Sequence, residues 1–574
     1  MPRVISIDID KSTHHIDIIS ENEFLTGGRA LSSQTIAQLV PPAADPLGPF
    51  NILSFCNGIL AGTTISNANR LSVGSKSPLT GTIKESNSGG TFAFQMGRLD
   101  IRNIIITGKR SDLKTWKVIH ISKDGVHIEE GQDLATHGCY AKSELLVKRY
   151  GPSIAFAMIG PAAEHLMRSA AIAISDPQKQ PARFCGRGGL GAVMASKGIQ
   201  AIVVDAAQTS PVQPDDKELF KDISRAVSEQ INTTPQTAKV FRTYGTAAMV
   251  DVAQGLGFLP TRNFSQGRFE YVEQINGQTL VDTISSREGE GKISHACMPG
   301  CLVQCSNVYP DKFGKRLVSP LEYETIGMMG PNLGIGDFDT IAELNYLAND
   351  CGVDTIEVGA AIGVAMHAGL ADFGDGQAAL SMMKEVREAT ILGKVIGAGA
   401  ETTAKVLGVY QVPTAKGQAF PAYDPRALKG LAATYATSPM GADHTAGHTI
   451  RSQVEDHHSA VGQATASKMS QIATLQWDSL GFCYFIGSAV PDLSQICDLI
   501  KAVHSHEFLP EQIRRMAIKT LRLERDFNRK AGFGPAHDRL SEYFHISENV
   551  DTKTICDIPE SEIEDLMNDE KLSQ

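Results

Sequence analysis

The apolar positions along the chain change period once, near residue 210. Up to that point they fall in short blocks bounded by Gly, Pro, Asn and Ser clusters, which predicts strands at Val4–Ile9, Ile52–Cys56, Ile104–Thr107, Trp116–Ile121 and Ala201–Val204. The opening MPRVISIDIDKSTHHIDII alternates like a hairpin, not like the continuous apolar block of a secretory leader. Between the blocks, residues 75–90 (SKSPLTGTIKESNSGG) and 183–198 (RFCGRGGLGAVMASKG) read as two long Gly/Ser-rich loops. Loops of that length inside a compact region are more often functional than idle.

Beyond Pro211 the spacing becomes helical, in 216–231, 337–352 and 511–530. Pro and Gly interrupt it again at 410–420. The expected organisation is a β-rich region over 1–210, a mainly helical one over 211–415 and a second helical one over 416–574. The last 20 residues are acidic and are expected to fray. No internal repeat stands out.

Composition narrows the function classes. The 574 residues are 42% hydrophobic and 20% charged, those of an ordinary globular protein with room for about three domains. A formal charge of −11 without a basic stripe argues against a nucleic-acid binder. No stretch approaches the ~20 apolar residues of a membrane helix. The ten scattered cysteines are not a disulfide framework. A cytoplasmic location is expected.

Candidate chemistry centres on Cys297, Cys301 and Cys305 in HACMPGCLVQCSNVY, with Cys483 downstream in DSLGFC. Three thiols within nine residues suit an iron–sulfur cluster closed by a distant fourth ligand. A structural zinc site and plain buried thiols remain alternatives. Gly186-Arg-Gly188-Gly-Leu-Gly191 matches the dinucleotide-binding fingerprint, but the preceding DPQKQPARFC does not read as the buried strand that fingerprint requires. Its glycines, with Arg183 and Arg187, would instead admit an anion, as would Arg70 with Asn87, Ser88 and Gly89. Two such loops could cradle a large phosphate-bearing cofactor.

These segments resemble the aldehyde:ferredoxin oxidoreductase family of tungstopterin enzymes. GGRAL (27–31), SKSPLTGT (75–82), ESNSGG (85–90), GRGGLGAVM (186–194), LPTRNF (259–264), EYET (322–325), GPNLGI (330–335), PAYDPR (421–426) and DSLGFC (478–483) occur in family order across nearly the whole chain. The resemblance implies an α+β architecture, with a β-rich base for a bis-pterin tungsten (or molybdenum) cofactor and two mainly helical domains. A [4Fe–4S] cluster would sit beside the pterins. Arg70, Asn87, Gly89 and the Arg183–Gly191 loop, including Gly186, Arg187 and Gly188, would hold the pterin phosphates and a bridging Mg2+. The two pterin loops map onto Asn349, Gly352, Val353 and Asp354, and onto Asp478, Gly481, Phe482 and Cys483. Glu324 (with Glu322 as second choice) and His444 would manage protons and polarise a substrate carbonyl. Were 322–324 extended, the two glutamates would point to opposite sides.

Three departures mark a divergent subgroup. One residue is inserted after Cys297, Asn349 replaces an aspartate, and SPMGADHTAG precedes and follows the histidine in an unfamiliar form. The Pro299–Gly300 turn is expected to absorb the insertion. His448, four residues beyond His444, is read as a decoy, and His457–His458 as an exposed helix end. The implied activity is oxidation of an aldehyde to a carboxylate, with electrons passing to ferredoxin or a ferredoxin-like subunit. The alternatives are a catalytic subunit of a complex reducing acids or thioesters, and a degenerate cofactor-binding subunit. Either a homo-oligomer or a hetero-oligomer is compatible with these readings.

Overall fold

In the computed structural model, residues 2–20, 23–112, 114–566 and 568 are described. All five expected strands are present within a few residues, and the three expected helices are Lys217–Thr233, Phe338–Cys351 and Pro510–Lys530. A β-sheet N-terminal region is followed by a helix-rich remainder. Glu560–Leu566 is a helix rather than a frayed end, and the rest of the acidic tail from 567, except 568, lies outside the described residues.

The first 205 residues contain a duplication that the sequence conceals. The first sheet comprises β1 (Arg3–Asp8), β2 (Thr13–Ile18), β3 (Leu53–Asn57), β4 (Leu71–Lys76), β5 (Ile83–Ser88) and β6 (Ile101–Thr107), in the order β2-β1-β6-β3-β4-β5. The second comprises β7 (Lys117–Ser122), β8 (Gly125–Glu130), β9 (Ala155–Ile159), β10 (Ile172–Ser175), β11 (Pro181–Cys185) and β12 (Ile199–Asp205), in the order β8-β7-β12-β9-β10-β11. Each strand of the first has its counterpart six places later, and in each sheet one pair is parallel, β1 with β6 and β7 with β12. Matching helices follow β5 (Phe92–Arg98) and β11 (Leu190–Ser196). Both helices lie between the sheets, touching strands of each, and the main apolar core fills this layer.

The two expected loops are mostly regular structure. Residues 75–90 are the end of β4, a tight turn and β5, while 183–198 contain the end of β11, a glycine turn and a helix. Their polarity is misleading because Ser75, Lys84, Glu85 and Ser86 are buried and bonded inside the fold. The fingerprint glycines therefore do follow a strand and open a helix. That strand is nevertheless an antiparallel edge strand, where Pro181 is tolerated, and not the parallel central strand of a dinucleotide site.

The helical remainder docks on this platform through two similar turns. The helices Phe338–Cys351 and Gln463–Leu480 both end in a left-handed glycine, Gly352 (φ +73°) and Gly481 (φ +77°). Each turn rests on the glycine that ends a matching strand, Gly160 after β9 and Gly58 after β3. A Cβ on Gly160 would lie 2.2 Å from the Cys351 carbonyl oxygen, and one on Gly58 2.2 Å from that of Leu480. A methyl group at Gly481 would lie 2.4 Å from the Cα of Gly58. Gly481→Ala is thus expected to combine an unfavourable φ with a backbone clash and to cost more than about 1 kcal/mol. A clear fall in the denaturant midpoint checks this, and an unchanged midpoint contradicts it.

Candidate functional site

Register brings the first group of site residues together. Leu71 pairs with Ser88 in the β4–β5 hairpin, so Arg70 and Gly89 meet at its open end, where Arg70 Nε donates to Asn87 Oδ1. The equivalent end of β11 carries Arg183 and Gly186. These residues face a cavity of about 240 Å³ that is also lined by Glu322, Glu324, Asn349, Val353 and Asp354. Ten of the expected residues, drawn from strand ends, a helix start and a helix end, therefore share one space.

Two polar atoms of residues lining this cavity, Arg183 Nε and Asn349 Nδ2, are buried without a hydrogen-bond partner. Buried polar groups are nearly always satisfied, so such a pair marks a ligand-shaped gap. Two arginines, glycine edges and amide donors fit an anionic, hydrogen-bonding group such as pterin phosphates.

Other expected residues lie elsewhere. Arg187 donates through Nε to Asp354 (3.2 Å) and through its two terminal nitrogens to the carbonyls of Ala442 and Ala419. Three of its five N–H donors join the platform to the helical region. A Cβ on Gly188 would lie 2.6 Å from Lys84 Cγ, so that glycine provides room for a neighbouring side chain. Asp354 also caps the helix Thr355–His367 through Ile356 N–H (3.0 Å). Phe482 packs against Trp477 in the apolar cluster around the cysteines. Asp478 lies 3.8 Å from Arg29, and burial holds its carboxyl well above the usual range.

The four cysteines form one group. Strands β13 (Lys292–His295) and β14 (Ser306–Pro310) belong to a small sheet with β15 (Arg316–Val318), and the cysteine run connects the first two. Cys301 N–H bonds Met298 O (3.3 Å) across Pro299 and Gly300, whose φ is +74°. The Pro299–Gly300 step is thus a tight turn at which Gly300 takes a positive φ. Cys297 bonds Cys301, which lowers the Cys301 thiol pKa, and Cys305 and Cys483 adjoin it. Cys483 N–H bonds Asn67 O (2.9 Å), and Asn67 Nδ2 lies 3.4 Å from Cys301 Sγ. All ten cysteines are free and buried. Among the described residues no group of three or more His, Cys, Asp or Glu side chains is arranged to hold a metal ion. Four shielded, unbridged thiols beside Arg70 and Arg183 fit a multi-iron cluster, whose thiolate ligands carry negative charge.

Residues 322–324 are not a strand: Glu322 is the N-cap, with extended backbone, and Glu324 lies in the first turn of the helix Tyr323–Met329. Glu322 pairs with Arg183 (3.3 Å) and accepts from Ser306 Oγ (3.2 Å). Glu324 Oε2 accepts from Ala422 N–H (2.8 Å), while Oε1 lies 3.3 Å from His444 Nε2. Burial raises the Glu324 pKa, and His444 partly offsets the rise. Asp443, adjoining His444, bonds Lys84 (2.9 Å); burial alone would raise its carboxyl, but Lys84 and Arg187 hold it well below the usual range.

Sequence reasoning missed this supporting layer. Asp443 is adjacent to a predicted residue and could have been noticed. Arg29 bridging to Glu524 (2.8 Å) joins positions 495 residues apart, for which no local signal exists. His448 is no bystander, since its ring packs perpendicular to those of Tyr423 (4.7 Å) and His444 (5.8 Å). His457 and His458 lie in a partly buried turn, not on a helix end, and His458 Nε2 is 2.9 Å from Leu256 O.

The structure is a sandwich of duplicated sheets whose glycine edges meet helix-end turns, with four thiols and a Glu–His pair at the junction. The chain belongs to the aldehyde ferredoxin oxidoreductase family: the family's N-terminal domain matches residues 4–206 and its domains 2 and 3 match residues 222–568. It is 28% identical to the tungsten-containing aldehyde ferredoxin oxidoreductase of Pyrococcus furiosus, over 93% of this chain and 89% of that protein. It is 24% identical to the WOR-like subunit of the aliphatic sulfonate oxidoreductase of the same organism, over 90% and 85% of the two chains. The fold matches the active site complex BamBC of benzoyl coenzyme A reductase, with a TM-score of 0.78, 18% identity and coverage of 94% and 90%. No described helix is long and apolar enough to cross a membrane.

If Cys297 is a cluster ligand despite the insertion, Cys297→Ala will lose most of its iron and its cluster absorbance relative to the parent. Retention of parental iron would remove Cys297 from the ligand set.

Proposed function

We propose that this protein is a tungsten- or molybdenum-pterin oxidoreductase that oxidises an aldehyde to its carboxylate with water and passes the electrons to ferredoxin or a ferredoxin-like subunit. The observation that carries this reading is the meeting of Glu324 and His444, from two separate parts of the helical region, beside a cavity edged by Arg70, Arg183 and glycine turns. The duplicated platform supports two pterins, one against each glycine-capped turn, with Asn349 and Asp478 as polar contacts. Arg70 and Arg183 would balance the phosphate charge that a Mg2+ ion bridges. When bound, the metal pterin supplies a two-electron acceptor, and a [4Fe–4S] cluster on Cys297, Cys301, Cys305 and Cys483 supplies one-electron transfer.

The chain's own residues manage position and protons. His444 Nε2 donates to the carbonyl oxygen of the aldehyde and polarises it. Glu324, with its pKa raised by burial, takes the proton of the water that provides the second carboxylate oxygen. Glu322 is held by Arg183 and Ser306 and positions Arg183. Tyr423, whose ring lies 5.4 Å from that of His444 at a tilt of 37°, limits the water around this pair.

A second reading, a catalytic subunit that reduces acids or thioesters within a complex, draws support from the kinship with the WOR-like subunit and the BamBC fold. It predicts viologen-driven reduction with little aldehyde oxidation.

Glu324→Gln is expected to keep parental metal and iron but to lose aldehyde-dependent viologen reduction by about 100-fold or more. Full activity in that variant would transfer the role to Glu322.

A further inference from the structure

The protons released at Glu324 and His444 need an outlet, and a series of unpartnered polar atoms leads away from them. His444 Nδ1 has no hydrogen-bond partner. The neighbouring His448 accepts from Ile450 N–H at its Nδ1 (3.2 Å), which places the ring proton of the neutral form on Nε2. That Nε2 is shielded from solvent and also has no partner. The next residue, Thr449, is fully buried with an unpartnered Oγ1, as is Gln463 with an unpartnered Oε1. Both flank Gly430, where an added Cβ would lie 2.5 Å from Thr449 Oγ1 and 2.8 Å from Gln463 Oε1.

The series continues to the surface. Lys429 N–H, beside Gly430, donates to His457 O (3.2 Å), and Gln463 Nε2 donates to Asp456 O (2.9 Å). His457 Nδ1 is again buried and unpartnered. Directly beyond lies an open depression of about 910 Å³ lined by Ser452, Glu455, Asp456, Ser459 and Gly462. Five unsatisfied polar atoms in one connected region are far from the usual satisfaction of buried groups, and ordered water is the ordinary remedy.

We infer that water bridging His444, His448, Thr449, Gln463 and His457 forms a proton path from the Glu324–His444 pair to the depression at 452–462. The path rests on the reading of that pair as the proton-handling groups. Oxidation of RCHO with H2O yields RCOO−, three protons and two electrons. The electrons leave through one-electron carriers and the protons through this route. His448 donates its Nε2 proton to the bridging water and so orients it while the excess proton is exchanged along the water, and its Nδ1 stays bonded to Ile450 N–H. Its perpendicular packing on Tyr423 and His444 keeps the ring in place for this exchange.

Two measurements on the holoenzyme test the path. A high-resolution crystal structure is expected to show ordered water hydrogen-bonded to His448 Nε2, Thr449 Oγ1 and Gln463 Oε1; dry contacts at all three overturn the inference. In turnover with excess viologen, His448→Phe and the near-isosteric Thr449→Val are expected to keep parental metal and iron and an aldehyde KM within about twofold. Their kcat should fall about tenfold, with a larger solvent deuterium isotope effect than the parent's. Parental kcat and isotope effect in both variants overturn the path, and Thr449→Val keeps the test decisive if the bulkier change misfolds. If the parent oxidises no aldehyde, the functional reading fails, and the water positions alone decide the path.

Discussion

The close approach of backbone to backbone at two glycine pairs governs the rest of the molecule. Gly481 against Gly58 and Gly352 against Gly160 bring helix ends to the strand ends of the platform with no side chain between them. Left-handed glycines are needed to end the helices in this direction. Because Cys483 lies two residues beyond Gly481, and Asp354 two beyond Gly352, the same turns fix a thiol and a carboxylate relative to the sheets. The site is thus a consequence of docking, since neither the platform nor the helical region contains it alone.

Charge holds this arrangement where apolar packing cannot. Arg29 is clamped by Glu524 and faces Asp478, Arg187 ties Asp354 to two carbonyls, and Lys84 meets Asp443 behind His444. Each is a buried ion pair crossing from the N-terminal platform to the helical remainder. Such pairs add little net stability over apolar packing, but losing one partner leaves a buried charge and costs about 3–5 kcal/mol. They therefore define the geometry of docking more than its strength. The Glu324–His444 pair lies inside this frame, and burial raises the carboxyl's pKa toward the range where it can both take and release a proton.

Much of this was legible in the residues. Short apolar blocks between turn clusters located five strands, helical spacing located three long helices, and the motifs included Arg70, Gly89, Arg183, Glu324 and Asn349, which share one cavity. The misreadings share a cause: polar residues satisfied inside the fold look like loop residues in a linear chain. Lys84 and Glu85 concealed β5, and Gln180 and Arg183 concealed β11. The duplication was hidden because strand order, not residue identity, is what repeats. The partners of Arg187 at Ala419 and Ala442 are backbone carbonyls, which carry no sequence signal. His448 was set aside because its spacing from His444 gave no sign of the orphaned nitrogen that distinguishes it.

The central claim is that platform, turns and thiols together hold a metal pterin beside an iron–sulfur cluster. Inductively coupled plasma mass spectrometry of anaerobically purified protein, from cells supplied with both tungsten and molybdenum, tests it most directly. The account predicts about one tungsten or molybdenum and about four irons per chain. Iron without either heavier metal would contradict it and leave an electron carrier or a degenerate subunit in its place.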